Sequence, residues 1–283
     1  MISIIICSKK EVITDELRKN ISETIGSDYE LIVIDNSLTS YTIFEAYNMG
    51  IAKSRGSILC FMHDDIAIHS KNWGSIANNI FEADLRIGLI GIAGAKTKTK
   101  MPSAWWDCAE RNRVVNIIQH SHDRKERQEY GFNGKNIQEV VVIDGVFMMM
   151  RKSTNLLFDT TIGRFHNYDL NISIEHCLNN YKVMVTNEIL IEHFSQGSIN
   201  IEWYVSSMRL QELYGRYLPL KSSDIEYTGQ DHNLEFVNGS RFASSILGFG
   251  YKREAIQLWL PLLSMRIRDK FHVQFLKSLL KKC

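Results

Sequence analysis

Ser57-Ile58-Leu59-Cys60-Phe61-Met62-His63-Asp64-Asp65 is the stretch on which the fold turns. An unbroken apolar run that stops at an imidazole and two carboxylates is the pattern of a strand buried on both faces, its polar end emerging at the sheet's edge. In open parallel sheets, ligands bind just beyond that edge. The same pattern occurs twice upstream. Ile2–Cys7 is apolar and rich in β-branched residues and leads into Ser8, and Leu31–Ile34 leads into Asp35-Asn36-Ser37. Between them, Glu11–Ile25 places Val12, Leu17, Ile21 and Ile25 at helical spacing and closes on Gly26. Tyr41–Lys53 reads as a helix ending near Gly56, Asn72–Ala83 as another, and Ile87–Ala93 as a fourth strand. Strands alternating with helices predict an α/β chain with a mainly parallel sheet and right-handed crossovers.

Residues 96–138 break this alternation. The segment is polar, contains Trp105-Trp106 and the charge-dense run His120–Glu129, and is expected to be an irregular functional loop or lid. Val140–Met150 reads as a strand followed by Arg151, Asn167–Asn180 as a helix, and Tyr181–Thr186 and Ile189–Ile191 as short strands. His193 to Ser198 forms a polar turn. Beyond about Ile201 the pattern turns helical over Glu202–Tyr217, Ser240–Leu247 and Glu254–Leu280. The expected division is a catalytic-type domain over 1–200, with 96–138 as its variable insertion, and a C-terminal helical appendage over 201–283.

Hydrophobic residues at 45% and charged ones at 23% exclude wholesale disorder. Lys plus Arg is 33 against 32 Asp plus Glu, which argues against a nucleic-acid binder. The five cysteines (Cys7, Cys60, Cys108, Cys177, Cys283) are scattered with no CxxC pair, which fits a reducing compartment. The six-residue apolar run at the start has no basic residue before it, and no stretch approaches a membrane span, so a cytoplasmic protein is expected.

The polar strand ends are the candidate chemistry. Ser8, Asp35, His63, Asp64 and Asp65 would converge at one edge, where carboxylates repel unless a cation or donors lie between them. Oxygen ligands beside a phosphate-bearing substrate suit Mg²⁺ or Mn²⁺. Asp35 and Asp64 equally suit turn formers or helix caps. Neither GxGxxG nor GxxxxGK[ST] follows the first strand, and no GxSxG occurs. This disfavours dinucleotide dehydrogenases, P-loop enzymes and α/β-hydrolases.

Five blocks, in order, resemble the family-two glycosyltransferases of the GT-A fold over roughly residues 2–200. They are Tyr29-Glu30-Leu-Ile-Val-Ile-Asp35-Asn36-Ser37; Ala46-Tyr47-Asn48-Met49-Gly50 through Gly56, running into His63-Asp64-Asp65 at the place of the DxD motif; Val142-Ile143-Asp144-Gly145 through Arg151; Phe158-Asp159 with Phe165-His166-Asn167-Tyr168-Asp169-Leu170-Asn171; and His193-Phe-Ser195-Gln-Gly197-Ser198. His63 in place of the first Asp is most similar to the branch named for a streptomycin-biosynthesis protein. The resemblance implies a nucleotide-diphospho-sugar transferase fold with a Rossmann-like sheet. It implies a metal-dependent, inverting transfer of a sugar from a UDP- or dTDP-type donor to a saccharide or lipid-linked acceptor, in surface polysaccharide synthesis.

It also implies roles. Asp35 would bind the uracil or ribose end of the donor, with Ser8, Asn36, Asn48, His63 and Asp64 as further nucleotide-sugar contacts. Asp65 and His193 would hold Mn²⁺ or Mg²⁺ against the diphosphate. Asp169 would be the general base; its alternative is a helix cap. Three departures from the family pattern stand out: Cys7-Ser8-Lys9-Lys10 replaces Pro-x-Tyr-Asn, His63 replaces an acid, and Asn171 stands where a second acid is common. They motivate a rival, a nucleotide-sugar-binding scaffold without catalysis. A sugar nucleotidyltransferase ranks lower, for want of a glycine-rich loop after the first strand.

Trp105 and Trp106 suit either the apolar face of an acceptor sugar or a plug on the sheet edge. Asp144, Gly145 and His166 are further acceptor-side candidates. Met148-Met149-Met150 reads as packing, and His120 and His122 as solvated loop. The helix Phe271–Lys282 sets Phe271, Phe275, Leu279 and Leu280 near one face among lysines. That face suits the body of the protein, a second copy, or an anionic membrane surface.

Overall fold

A computed structural model describes residues 1–121, 124–195 and 197–281; His122, Lys282 and Cys283, named above, lie outside them. The order begins β1 (Ile2–Ser8), α1 (Asp15–Thr24), β2 (Tyr29–Asp35), α2 (Ile43–Lys53), β3 (Ile58–Met62), β4 (Ile66–Ile68), α3 (Trp73–Ala83) and β5 (Ile87–Gly91). Then come β6 (Ala93–Ala95), β7 (Thr97–Lys98), β8 (Arg113–Ser121), β9 (Arg124–Tyr130), β10 (Ile137–Val140), β11 (Val142–Ile143) and β12 (Phe147–Arg151). The chain continues through α4 (Tyr168–Leu178), β13 (Lys182–Thr186), β14 (Ile191–His193), α5 (Ile201–Tyr214) and β15 (Leu220–Lys221) to α6 (Gly229–Gly248), α7 (Lys252–Met265) and α8 (Lys270–Lys281).

Seven strands form the central sheet in the order β10-β13-β5-β12-β3-β1-β2. Ile2, Ile4, Ile5, Ile6, Leu59, Cys60, Phe61 and Met62 are fully buried, as their continuous apolar runs require. Two cores flank the sheet. One holds Phe44, Tyr47, Phe61, Phe158 and Tyr168; the other holds Ile4, Trp73, Phe81, Phe147 and Met149. Helix α2 is set by a capping box in which Thr42 and Glu45 satisfy each other's backbone N–H.

The sheet is more mixed than the alternation predicts. β1–β2, β1–β3 and β13–β5 are parallel, but β12 runs antiparallel to both β3 and β5, and β10 antiparallel to β13. The expected strand Val140–Met150 is three short ones. The Asp144 carboxylate accepts the N–H of Val146 at 2.8 Å, an Asx turn that reverses the chain at the carboxyl end of β3. Because β12 is entered there, with no helical crossover, it must run against its neighbours.

Residues 96–138 are not an irregular lid. Residues 113–121 and 124–130 are strands β8 and β9 of a second sheet, ordered β11-β6-β8-β14-β4 with β9 on β8. Val114, Val115 and Ile117 of β8 are core. The charge-dense run is the exposed edge of the β8–β9 hairpin, where charged side chains discourage edge pairing. His120 is a strand residue, not loop, and its Nε2 meets the buried Glu192 carboxylate at 2.6 Å. The expected helix Ser240–Leu247 is the end of the longer α6, and Glu254–Leu280 is divided into α7 and α8 by a turn at 266–269.

Helices α5 and α6 are tied to the sheets by buried polar contacts. Asn167 Nδ2 donates to Ser206 and Ser207 of α5, and the Glu235 carboxylate of α6 accepts the backbone N–H groups of Lys100 and Met101. Among the described residues no helix is long and apolar enough to cross a membrane.

Candidate active site

Three strand ends bring polar groups together at one edge. β3 delivers His63, Asp64 and Asp65; β1 delivers Ser8; β14, in the second sheet, ends in His193. His63, Asp65 and His193 each present one ligand atom, all within 4.8 Å of one another. His63 Nδ1 lies 3.8 Å and His193 Nε2 3.5 Å from Asp65 Oδ1. Burial alone would raise the Asp65 carboxyl, but its contacts with His193 and Ser195 and the nearby His63 outweigh it and hold the group below its usual range. Burial, then the neighbouring His193, push the His63 imidazole down, so it is neutral at pH 7 with a lone pair to offer.

Outer contacts orient both rings. Gln119 Nε2 donates to the carbonyls of His120 and Ser195, which turns Oε1 toward His193 Nδ1 at 3.1 Å. Nδ1–H of His193 must therefore donate, leaving Nε2 unprotonated on the Asp65 side. His63 Nε2 lies 2.8 Å from Tyr168 Oη; a proton there leaves Nδ1 bare toward Asp65. Two imidazoles and an ionised carboxylate, each second nitrogen engaged, form a donor set that fits a divalent transition ion.

Asp169 stands in the first turn of α4. It is not the cap. Asn167, at φ +65°, precedes the helix, and Asp169 Oδ1 accepts the N–H of its neighbour Leu170 at 2.8 Å. Burial, then the negative Asp144, raise its carboxyl to about 7, although N–H groups including that of Gly145 work against the rise. Asp144 in turn accepts the Trp105 indole N–H at 2.8 Å. Gly145 has a steric reason. A Cβ there would collide with the Tyr168 ring, so its absence lets Tyr168 reach His63.

The other expected residues divide. Ser8 Oγ donates to Asp64 Oδ2 at 2.5 Å, joining a buried hydroxyl to a half-buried carboxylate at the floor of the edge. Asp35 is exposed at the end of β2, held low by the Ser37 N–H. Asn36 and Asn48 are engaged by the backbone. The Asn36 amide bridges the Tyr41 backbone in both directions, and the Asn48 amide does the same to Phe158. Trp105 stacks edge-on against Trp106, with centroids 5.6 Å apart. Trp106 is 39% exposed and lines a cavity of about 120 Å³ with Asp107, Trp203, Tyr204, Arg241 and Phe242. It therefore does not plug the sheet edge. His166 is half-buried, lowered by that burial, and turned toward Asn200 and Glu202. Met148, Met149 and Met150 are core.

Tyr168 and Gln119 were not among the expected site residues. Gln119 sits in the stretch whose strand pattern was unread, and Tyr168 looked like packing beside an acid.

The glycosyltransferase-like family model matches residues 3–211. The chain belongs to this glycosyltransferase-like family. No curated protein matches it. Among solved structures, S. aureus TarS 1-349 in complex with UDP-GlcNAc is similar over 98% of this chain and 81% of its own, with a TM-score of 0.52 at 12% identity. The mannosyltransferase PcManGT from Pyrobaculum calidifontis, in complex with GDP-Man and Mn²⁺, covers 99% of this chain and 85% of its own (TM-score 0.51, 11% identity). GalNAc-T7 with UDP, GalNAc and Mn²⁺ covers 86% and 50% (TM-score 0.52, 12% identity). At these identities the likeness shows the fold, which is GT-A. The glycosyltransferase-like match spans every residue of the cluster, from Ser8 to His193.

Proposed function

We propose that this glycosyltransferase moves a sugar, with inversion, from a UDP- or dTDP-type nucleotide-diphosphate donor to a hydroxyl of a saccharide or lipid-linked acceptor. The observation that carries the reading is the triangle of His63, Asp65 and His193, with Asp169 raised to about 7 beside it on the α4 side.

His63, Asp65 and His193 would hold the divalent ion, and two imidazoles favour Mn²⁺ over Mg²⁺. When bound, the ion would neutralise charge developing on the departing diphosphate. Asp35, exposed at the end of β2, would bind the base or ribose of the donor, and the Ser8–Asp64 pair would make polar contacts with it. Asp169 takes the proton of the acceptor hydroxyl as that oxygen attacks the anomeric carbon, and a carboxyl near 7 suits a base working at neutral pH. Asp144 holds Trp105 on the acceptor side, and the aromatic cavity beyond Trp106 would receive the acceptor's sugar face. His63 at the first motif position supports the streptomycin-biosynthesis-like branch, and surface polysaccharide synthesis is the pathway that branch implies.

Thermal-shift binding of UDP, dTDP, GDP and CDP, each with Mn²⁺ or EDTA, tests the reading. A ligand that binds only the folded state raises its melting temperature. A shift for one nucleotide that EDTA abolishes is expected. No shift for any nucleotide would overturn it.

A further inference from the structure

The chain's charge is unevenly divided. Residues 252–283 carry eight Lys or Arg and two Asp or Glu, a net +6, against a net −5 for residues 1–251. Within the basic part, α8 presents three arcs. At about 100° per residue, Phe271, Phe275 and Leu279 fall on one side, and these pack on the cluster formed with Trp203, Phe242 and Ile246. Next to them Val273, Leu276 and Leu280 form a second apolar stripe, which is 56%, 40% and 72% exposed. Beyond that stripe lie Lys270, Lys277 and Lys281, all exposed. The apolar character of α8 is therefore in excess of what its packing uses. The turn that leads into it, Arg266-Ile267-Arg268, repeats the theme, with Ile267 77% exposed between two arginines.

We infer that α8 and the 266–268 turn dock the protein on an anionic lipid bilayer surface. An apolar stripe bordered by lysines matches a bilayer interface, where side chains enter the acyl boundary and cations meet acidic headgroups. A second copy of the chain is the poorer occupant, because a symmetric contact would set the lysine rows of both copies close together. Nucleic acid would use the lysines and leave the leucines in water. The inference is independent of the reading of the active site.

Flotation of the full chain with vesicles tests it. Binding to phosphatidylcholine vesicles containing about a quarter phosphatidylglycerol is expected, with little to pure phosphatidylcholine and a loss on raising salt. Leu276→Glu with Leu280→Glu, and separately Lys277→Glu with Lys281→Glu, should each weaken vesicle binding at least about 10-fold. Both pairs are exposed, so circular dichroism and nucleotide binding should be unchanged. Absence of vesicle binding, or equal binding by the wild type and both variants, would overturn the inference. So would a concentration-dependent dimer that the same substitutions dissolve in a protein ignoring vesicles.

Discussion

Tyr168 Oη lies 2.8 Å from His63 Nε2, and the next residue along the chain is Asp169. One turn of α4 thus touches the first ligand of the candidate metal triangle and carries the candidate base. Tyr168 is buried against Phe44 and Tyr47 and seated over Gly145, so the strand end and the helix start are held at a fixed separation by aromatic packing.

Replacing Tyr168 by Phe keeps that packing and removes only the hydroxyl. His63 Nε2 then loses its hydrogen-bond partner, and the ring is no longer fixed with Nδ1 toward Asp65. Metal affinity should fall about 10- to 100-fold, read as the Mn²⁺ concentration giving half-maximal turnover. The melting temperature should change little, and excess Mn²⁺ should restore much of the rate.

Asp65→Ala and His193→Ala remove ligands outright. In both variants the melting shift given by nucleotide plus Mn²⁺ should shrink to that seen with EDTA. Neither side chain is part of the apolar core, so the proteins should fold. A full Mn²⁺-dependent shift in Asp65→Ala would mean that the triangle is not the metal site.

Trp106→Ala should raise the acceptor KM about 10-fold and leave nucleotide binding unchanged. The side chain lines the cavity and is no part of the His63 triangle, and stacking of an aromatic ring is worth on the order of 1 kcal/mol. A change in nucleotide affinity with unchanged acceptor KM would place Trp106 on the donor side.

Sequence legibility followed physical locality. The ends of β1 and β3 were readable because a doubly buried strand must be apolar until it leaves the sheet. His63, Asp64 and Asp65 therefore stood out without any coordinates. β8 and β9 were not readable: β9 is an exposed edge strand selected for charge, and charge dense enough to block pairing resembles a loop, while the partly apolar β8 runs straight into that charged stretch. Gln119 was lost with them. Asn36 and Asn48 sat in family-like blocks, and that their amides also bridge backbone groups is visible only with the partner's position. The turn at Asp144-Gly145 hid inside an apolar run because a single Asx turn interrupts a strand without altering its average hydropathy.

Asn171, the departure from the expected second acid, has a structural cause. It is fully buried, its Nδ2 donates to Tyr214 Oη at 2.8 Å, and its Oδ1 accepts the Asp159 N–H at 2.9 Å. The Tyr214 hydroxyl proton already goes to Glu175, so position 171 must both donate and accept. A carboxylate cannot donate. Asn171→Asp should destabilise the fold by about 3 kcal/mol, read by urea denaturation at pH 8. Asn171 thus gives no support to a site that has lost catalysis.

The Asp169 carboxyl sets the pH behaviour. Its folded value, raised to about 7 by burial and Asp144, lies above the unfolded value of about 3.9. The folded state therefore holds a proton that the unfolded chain releases, and stability falls as pH rises from about 4 through about 7. Activity runs the other way, because the base works only when ionised, so turnover should climb through about pH 7. Asp169→Asn separates the two effects. The rate should drop about 10²- to 10⁴-fold, while stability at pH 8 rises by on the order of 1 kcal/mol as the ionised carboxylate beside Asp144 is removed. Asp144→Asn removes the neighbouring charge instead, so the acid limb of the rate profile should move to lower pH with Asp169 still in place. A limb that stays fixed in Asp144→Asn, or turnover retained in Asp169→Asn, would take the base role away from Asp169.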